Sequence, residues 1–120
     1  MVKIAVGKDS ITISLTGPKK VLAIKSKIVI PLKNITKVST EQVKPVWLPK
    51  SRLGTYVPGI FMAGTFWLRR GGKTFYYVYN FSNCITLTLK NHDYTKVILD
   101  VGREKEALAS RIREAMRQQS

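Results

Sequence analysis

Residues 56–81 read YVPGIFMAGTFWLRRGGKTFYYVYNF, and the reading of the fold starts there. Two apolar, aromatic runs, Ile60 to Leu68 and Thr74 to Tyr79, flank the basic turn Arg69-Arg70-Gly71-Gly72-Lys73. Phe, Tyr, Trp, Val and Thr suit a pleated surface, and Gly-Gly supplies the positive φ of a tight hairpin turn. The stretch therefore reads as one long hairpin that carries much of the core.

The sequence on either side is also strand-like. Lys3 to Val6 is a short strand. Ser10 to Thr16 places Ile11, Ile13 and Leu15 on one face and Thr12 and Ser14 on the other, the alternation of a half-buried strand. Gly17-Pro18 breaks it, with Lys19-Lys20 at the turn. Val21 to Lys25 resumes the pattern and Ile28 to Leu32 follows. Pro31 donates no amide hydrogen, so that segment ends there or lies at an edge. Asn34 to Ser39 alternates less regularly, through Ile35 and Val38. Val43 to Pro58, punctuated by Pro45, Pro49, Gly54 and Pro58, reads as a long irregular loop pinned by Trp47 and Leu48. After the hairpin, Ser82-Asn83 is a turn, Cys84 to Leu89 a strand of period two, Asn91-His92-Asp93 a turn and Tyr94 to Val101 a last strand. Residues 103–118 change to strong helix formers without proline. There Leu108, Ile112, Ala115 and Met116 share one stripe, and Arg103, Arg113 and Arg117 lie roughly opposite. No strand–helix units alternate, so the sheet is expected to be antiparallel. The fold class is mainly β with one C-terminal α-helix that covers an open end or face.

At 120 residues the chain is one domain, 1–120, large enough to bury a core without a staple. The apolar share of 44% is that of a folded globule. A single cysteine, Cys84, makes no internal bridge and fits a reducing cytoplasm. MVKIAVGKDS carries no export signal, and no run approaches the roughly 18–20 apolar residues of a membrane helix. Contact with a membrane would be peripheral, at its inner face. Charge is the outlier: 21 Lys and Arg face seven Asp and Glu, giving +14 and a pI near 10.2. That balance attracts polyanions such as nucleic acid, anionic lipid or acidic protein.

Ile30 to Ser39 (IPLKNITKVS), Gly54 to Phe66 (GTYVPGIFMAGTF) with its Gly64-Thr65-Phe66 element, and the closing helix resemble the bacterial pleckstrin-homology (PH) domain families. The similarity spans Ile11 to Arg117. It implies a PH-like, partly open barrel of about seven antiparallel strands in two orthogonal sheets, plugged by the C-terminal helix. It also implies no catalytic centre, and in several members assembly through strand edges. Phosphoinositide-binding PH domains resemble the chain less. The nearest counterpart of their basic hairpin is Lys19 and Lys20 with Lys25 and Lys27, the last two on one strand face. Together these lysines would hold a phosphate by charge-assisted bonds, but the expected arginine is absent.

Other chemistry is sparse. Gly72-Lys73-Thr74 resembles the end of a P-loop, but Trp67 stands where the first glycine belongs and a strand follows instead of a helix. One histidine, His92, and one cysteine leave no metal cluster, and nothing local builds a nucleophile. Along the hairpin Tyr76 and Val78 share one face; Phe75, Tyr77 and Tyr79 share the other. If only one face is covered, aromatics beside Arg69, Arg70 and Lys73 would form a stacking surface for single-stranded nucleic acid or a self-association face. If the Val43–Pro58 loop or the helix covers the second face, they are core. The resulting expectation is a non-enzymatic, cofactor-free interaction module that binds protein, including copies of itself, or an anionic lipid headgroup or phosphate. Nucleic-acid binding is the alternative.

Overall fold

The computed structural model describes residues 2–15, 27–43, 51–57, 61–68 and 72–119. In chain order the strands are β1 (Val2–Val6), β2 (Ser10–Leu15), β3 (Lys27–Pro31), β4 (Ile35–Ser39), β5 (Ser51–Val57), β6 (Phe61–Leu68), β7 (Gly72–Val78), β8 (Cys84–Leu89) and β9 (Lys96–Asp100). One 3₁₀ turn, Leu32–Asn34, joins β3 to β4, and another, Gly102–Glu104, leads into helix α1 (Lys105–Gln119). Strands β1-β2-β3 form one antiparallel sheet; the others form a six-stranded sheet in the order β4-β8-β9-β7-β6-β5. The chain is thus mainly β with a C-terminal helix, and the two sheets do not close on each other.

The long hairpin is β6 and β7, in register from Met62 opposite Val78 to Leu68 opposite Gly72. Gly72 leaves the turn at φ 69°, where residues with a Cβ are disfavoured. Most other strands fall within a residue or two of their sequence signals. The segment 21–25 and the loop anchors Trp47 and Leu48 lie outside the described residues.

Two expectations are corrected. Ser51–Val57 is a strand, not part of a loop: Leu53, Thr55, Tyr56 and Val57 are strand formers, and they pair with β6 along their whole length. Nine strands are described where the PH-like resemblance implied about seven. The large sheet is also not wholly antiparallel, since β9 enters between β8 and β7 and runs parallel to β7. Its apolar run Val97-Ile98-Leu99 is buried on both faces, the pattern of a central strand rather than an edge.

The inner face of the large sheet contributes Phe61, Ala63, Phe75, Tyr77, Ile85, Leu87, Val97 and Leu99 to the main core. Ile11, Ile13, Ile28 and Ile30 of the small sheet meet them, together with Ala109 and Ile112 of α1. The helix stripe works as its spacing implies: Ile112 is fully buried, and Leu108, Ala115 and Met116 pack around it. Ile35 and Val38, three apart, both reach this core because the β4–β8 register shifts between Ile35 and Lys37. Backbone carbonyls tie the helix down. Arg113 Nη2 donates to Val38 O (2.8 Å), and Lys105 Nζ donates to Thr40 O (2.9 Å) and Ser82 O (2.7 Å). Among the described residues no helix is long and apolar enough to cross a membrane.

Candidate functional site

Of the residues singled out from sequence, those that are described are dispersed. Lys27 stands exposed at the start of β3. Lys19, Lys20, Lys25, Arg69 and Arg70 lie outside the described residues. Lys73 pairs with Asp93, and its ammonium sits 4.9 Å from the centroid of the Tyr94 ring and 5.9 Å from that of Trp67, so it is already engaged by protein groups. Phe75 and Tyr77 are corrected as ligand-facing residues: both are buried in the main core, under the small sheet and α1. Tyr79 is partly exposed and rests on Phe61 with ring centroids 4.4 Å apart. Among its described residues the hairpin therefore presents no row of aromatic faces.

The outer face of the six-stranded sheet is different in kind. Part of it is a second apolar cluster of Met62, Phe66, Tyr76, Val78, Cys84 and Ile98. Beside that cluster the strand register lines up polar side chains. Lys37 on β4 is opposite Thr88 on β8, Thr88 opposite Lys96 on β9, and Lys96 opposite Thr74 on β7. The next row is Ser39, Thr86, Ile98 and Tyr76. These two rows floor a cavity of about 330 Å³, with Glu41, Val43 and Leu68 at its walls. Thr74 is fully buried and its hydroxyl has no hydrogen-bond partner. Buried polar groups are nearly always paired; among the described residues the Tyr56 and Tyr77 hydroxyls share this state, but Thr74 is the one of the three that lines the cavity. The sequence holds only a faint sign of the site: the threonines of CITLTL mark a polar face, but only the fold brings them to Lys37 and Lys96.

Other reactive groups are quiet. Burial, reinforced by Asp100, pushes the Cys84 thiol up to about 12, which keeps it protonated at neutral pH. His92 Nδ1 accepts the Tyr94 backbone N–H at 3.0 Å and its ring stacks on Tyr94. Among the described residues no group of three or more His, Cys, Asp or Glu is placed to hold a metal ion. Compared with known proteins, the chain has no significant match to a family model, a curated protein or a solved structure.

Proposed function

We propose that the chain is a PH-like, non-enzymatic interaction module that engages an acidic protein surface through its excess positive charge. One observation carries this reading: five of the seven acidic side chains are engaged by groups of the molecule itself, while many of the basic ones stand exposed. Asp9 accepts from Gln119, Asp93 pairs with Lys73, Glu106 accepts from Thr40 and Glu114 pairs with Arg117. Asp100 accepts from the backbone N–H groups of Tyr79, Asn80 and Gly102. Lys3, Lys8, Lys33, Lys90, Arg103 and Arg111 are exposed. The PH-like part of the reading is supported by the element order, strands first and a helix last that packs on the core beside β4. The parallel β7–β9 pair departs from that pattern.

Polyglutamate is the test probe, against a single-stranded oligonucleotide and anionic vesicles. Retention of polyglutamate that weakens as salt screens the charges is the expected result. Tight oligonucleotide binding with polyglutamate ignored would replace the reading with a nucleic-acid one, its salt slope counting the phosphates contacted. The buried hairpin aromatics argue against that outcome.

Self-association is the second reading, and one observation favours it. Leu53 and Val57 lie on the core side of the sheet at its β5 edge and are 53% and 42% exposed. Light scattering that finds a monomer at high concentration would end it.

A further inference from the structure

The geometry points to the outer-face cavity as a binding site for a phosphate group, carried by a small soluble molecule or by a lipid. This site is separate from the general basic surface. Neighbouring strands lie about 4.8 Å apart, so Lys37 and Lys96 flank Thr88 with roughly 10 Å between their backbones. Lysine stems are long and flexible enough to bring both ammoniums onto one group seated above Thr88. Thr86 and Thr88 add hydroxyl donors beside them, and hydroxyls and ammoniums together suit an oxyanion. Among the described residues neither lysine is in an ion pair. Glu41 is the one carboxylate on the cavity wall, so two positive charges face one negative charge.

Like charges gathered on one sheet face repel, and a β-branched apolar residue would fill the Thr74 position without stranding a hydroxyl. Leu68, Tyr76, Ile98 and Val43 line the rest of the cavity. They provide an apolar bed for the body of a small phosphomonoester, and the volume is in the range of small-molecule sites.

The test is a titration of the isotope-labelled full chain, followed by NMR. Inorganic phosphate is one probe; phosphatidylcholine vesicles with and without phosphatidate are the other. The variants are Lys96→Met, Thr74→Val and Lys3→Met, the last removing the same charge from an exposed site on β1. Phosphate is expected to move the resonances of Thr74, Thr86, Thr88 and Lys96. Lys96→Met should weaken binding about tenfold, the value of one charge-assisted hydrogen bond, and Lys3→Met should leave it unchanged. Thr74→Val should weaken binding while raising the melting temperature, opposite signs that a purely structural threonine does not produce. If Thr74→Val fails to fold, the comparison of Lys96→Met with Lys3→Met decides. Saturation by inorganic phosphate assigns a soluble ligand; Lys96-dependent binding to phosphatidate vesicles alone assigns a headgroup. Shifts spread evenly over the surface lysines, or equal losses in Lys96→Met and Lys3→Met, would overturn the site. Failure to retain polyglutamate would not affect it.

Discussion

Along β7, β8 and β9 the inner face is Phe75, Tyr77, Ile85, Leu87, Val97 and Leu99, all buried against the small sheet and the helix. At the alternate positions of the same strands, the outer face includes Thr74, Tyr76, Thr86, Thr88, Lys96 and Ile98. Only part of that face is apolar and closed. The two faces share one backbone, so the difference is one of side-chain chemistry alone. The inner face is paired with a partner layer of matching hydrophobicity. The outer face seals an apolar half and leaves a polar half around a cavity. Stability should therefore be concentrated on the inner face, and freedom to specialise on the outer one.

The largest expected effect tests that division directly. Phe75→Ala removes a fully buried ring from the inner face and should cost about 3–5 kcal/mol, enough to leave the domain marginal or unfolded. Thr86→Ala, on the half-buried outer face, should change stability by no more than about 0.5 kcal/mol. Urea unfolding of the two variants compares them. Similar losses would mean that the outer face carries as much of the fold as the inner one.

A smaller effect is expected where the outer face is held by backbone rather than side chains. Gly54 on β5 pairs with Gly64 on β6, with φ of 147° and 136°. A Cβ on Gly64 would stand 2.4 Å from Leu53 O and 2.7 Å from Gly54 Cα. Neither atom belongs to a side chain that could move aside. Gly64→Ala should therefore cost at least about 1–3 kcal/mol from backbone strain, before the contact with β5 is counted. Hydrogen exchange should show the loss first in β5, which pairs with no other described strand than β6. Uniform loss across the inner strands would show that β5 and the core unfold as one.

How much of this was legible in the sequence depended on distance along the chain. The β6–β7 hairpin and α1 are encoded locally, by a Gly-Gly turn between aromatic runs and by apolar residues at helical spacing. Both stand where expected. Strand β5 was obscured because prolines on each side made a strand look like punctuation. The insertion of β9 between β8 and β7 is a long-range choice that strand periodicity does not contain, although Val97-Ile98-Leu99 hinted at cover on both faces. The aromatics of Thr74 to Tyr79 were ambiguous for a related reason: alternation sorts them into two faces but does not say which layers cover each. The cavity was the least legible feature. Lys37, Thr88, Lys96 and Thr74 come from four strands, and only the pairing register sets them side by side. The lysines chosen from sequence were picked as the nearest counterpart of a basic PH hairpin, which says little about where a sheet gathers its charge.

Alkaline pH offers the finest test of the contrast, because the outer apolar cluster holds ionisable groups in neutral form. Burial pushes the Tyr76 phenol from 10.0 up to about 12, with Tyr56 and Cys84 adding to the rise. Burial likewise pushes the Cys84 thiol from 9.0 up to about 12. Both folded values are raised, so the unfolded chain ionises first as pH increases. The stability these neutral groups contribute is complete below pH 9, declines above it and is lost as pH passes about 12. Melting temperature should accordingly hold level up to pH 9 and then fall. Cys84→Ala lowers the whole curve by removing a buried side chain, but it should also delay the onset of the fall toward the phenol's 10.0. The onset, not the height, carries the information. If it stays at pH 9 in Cys84→Ala, the thiol is not among the groups that the outer cluster keeps neutral, and the titratable half of the difference between the two faces disappears.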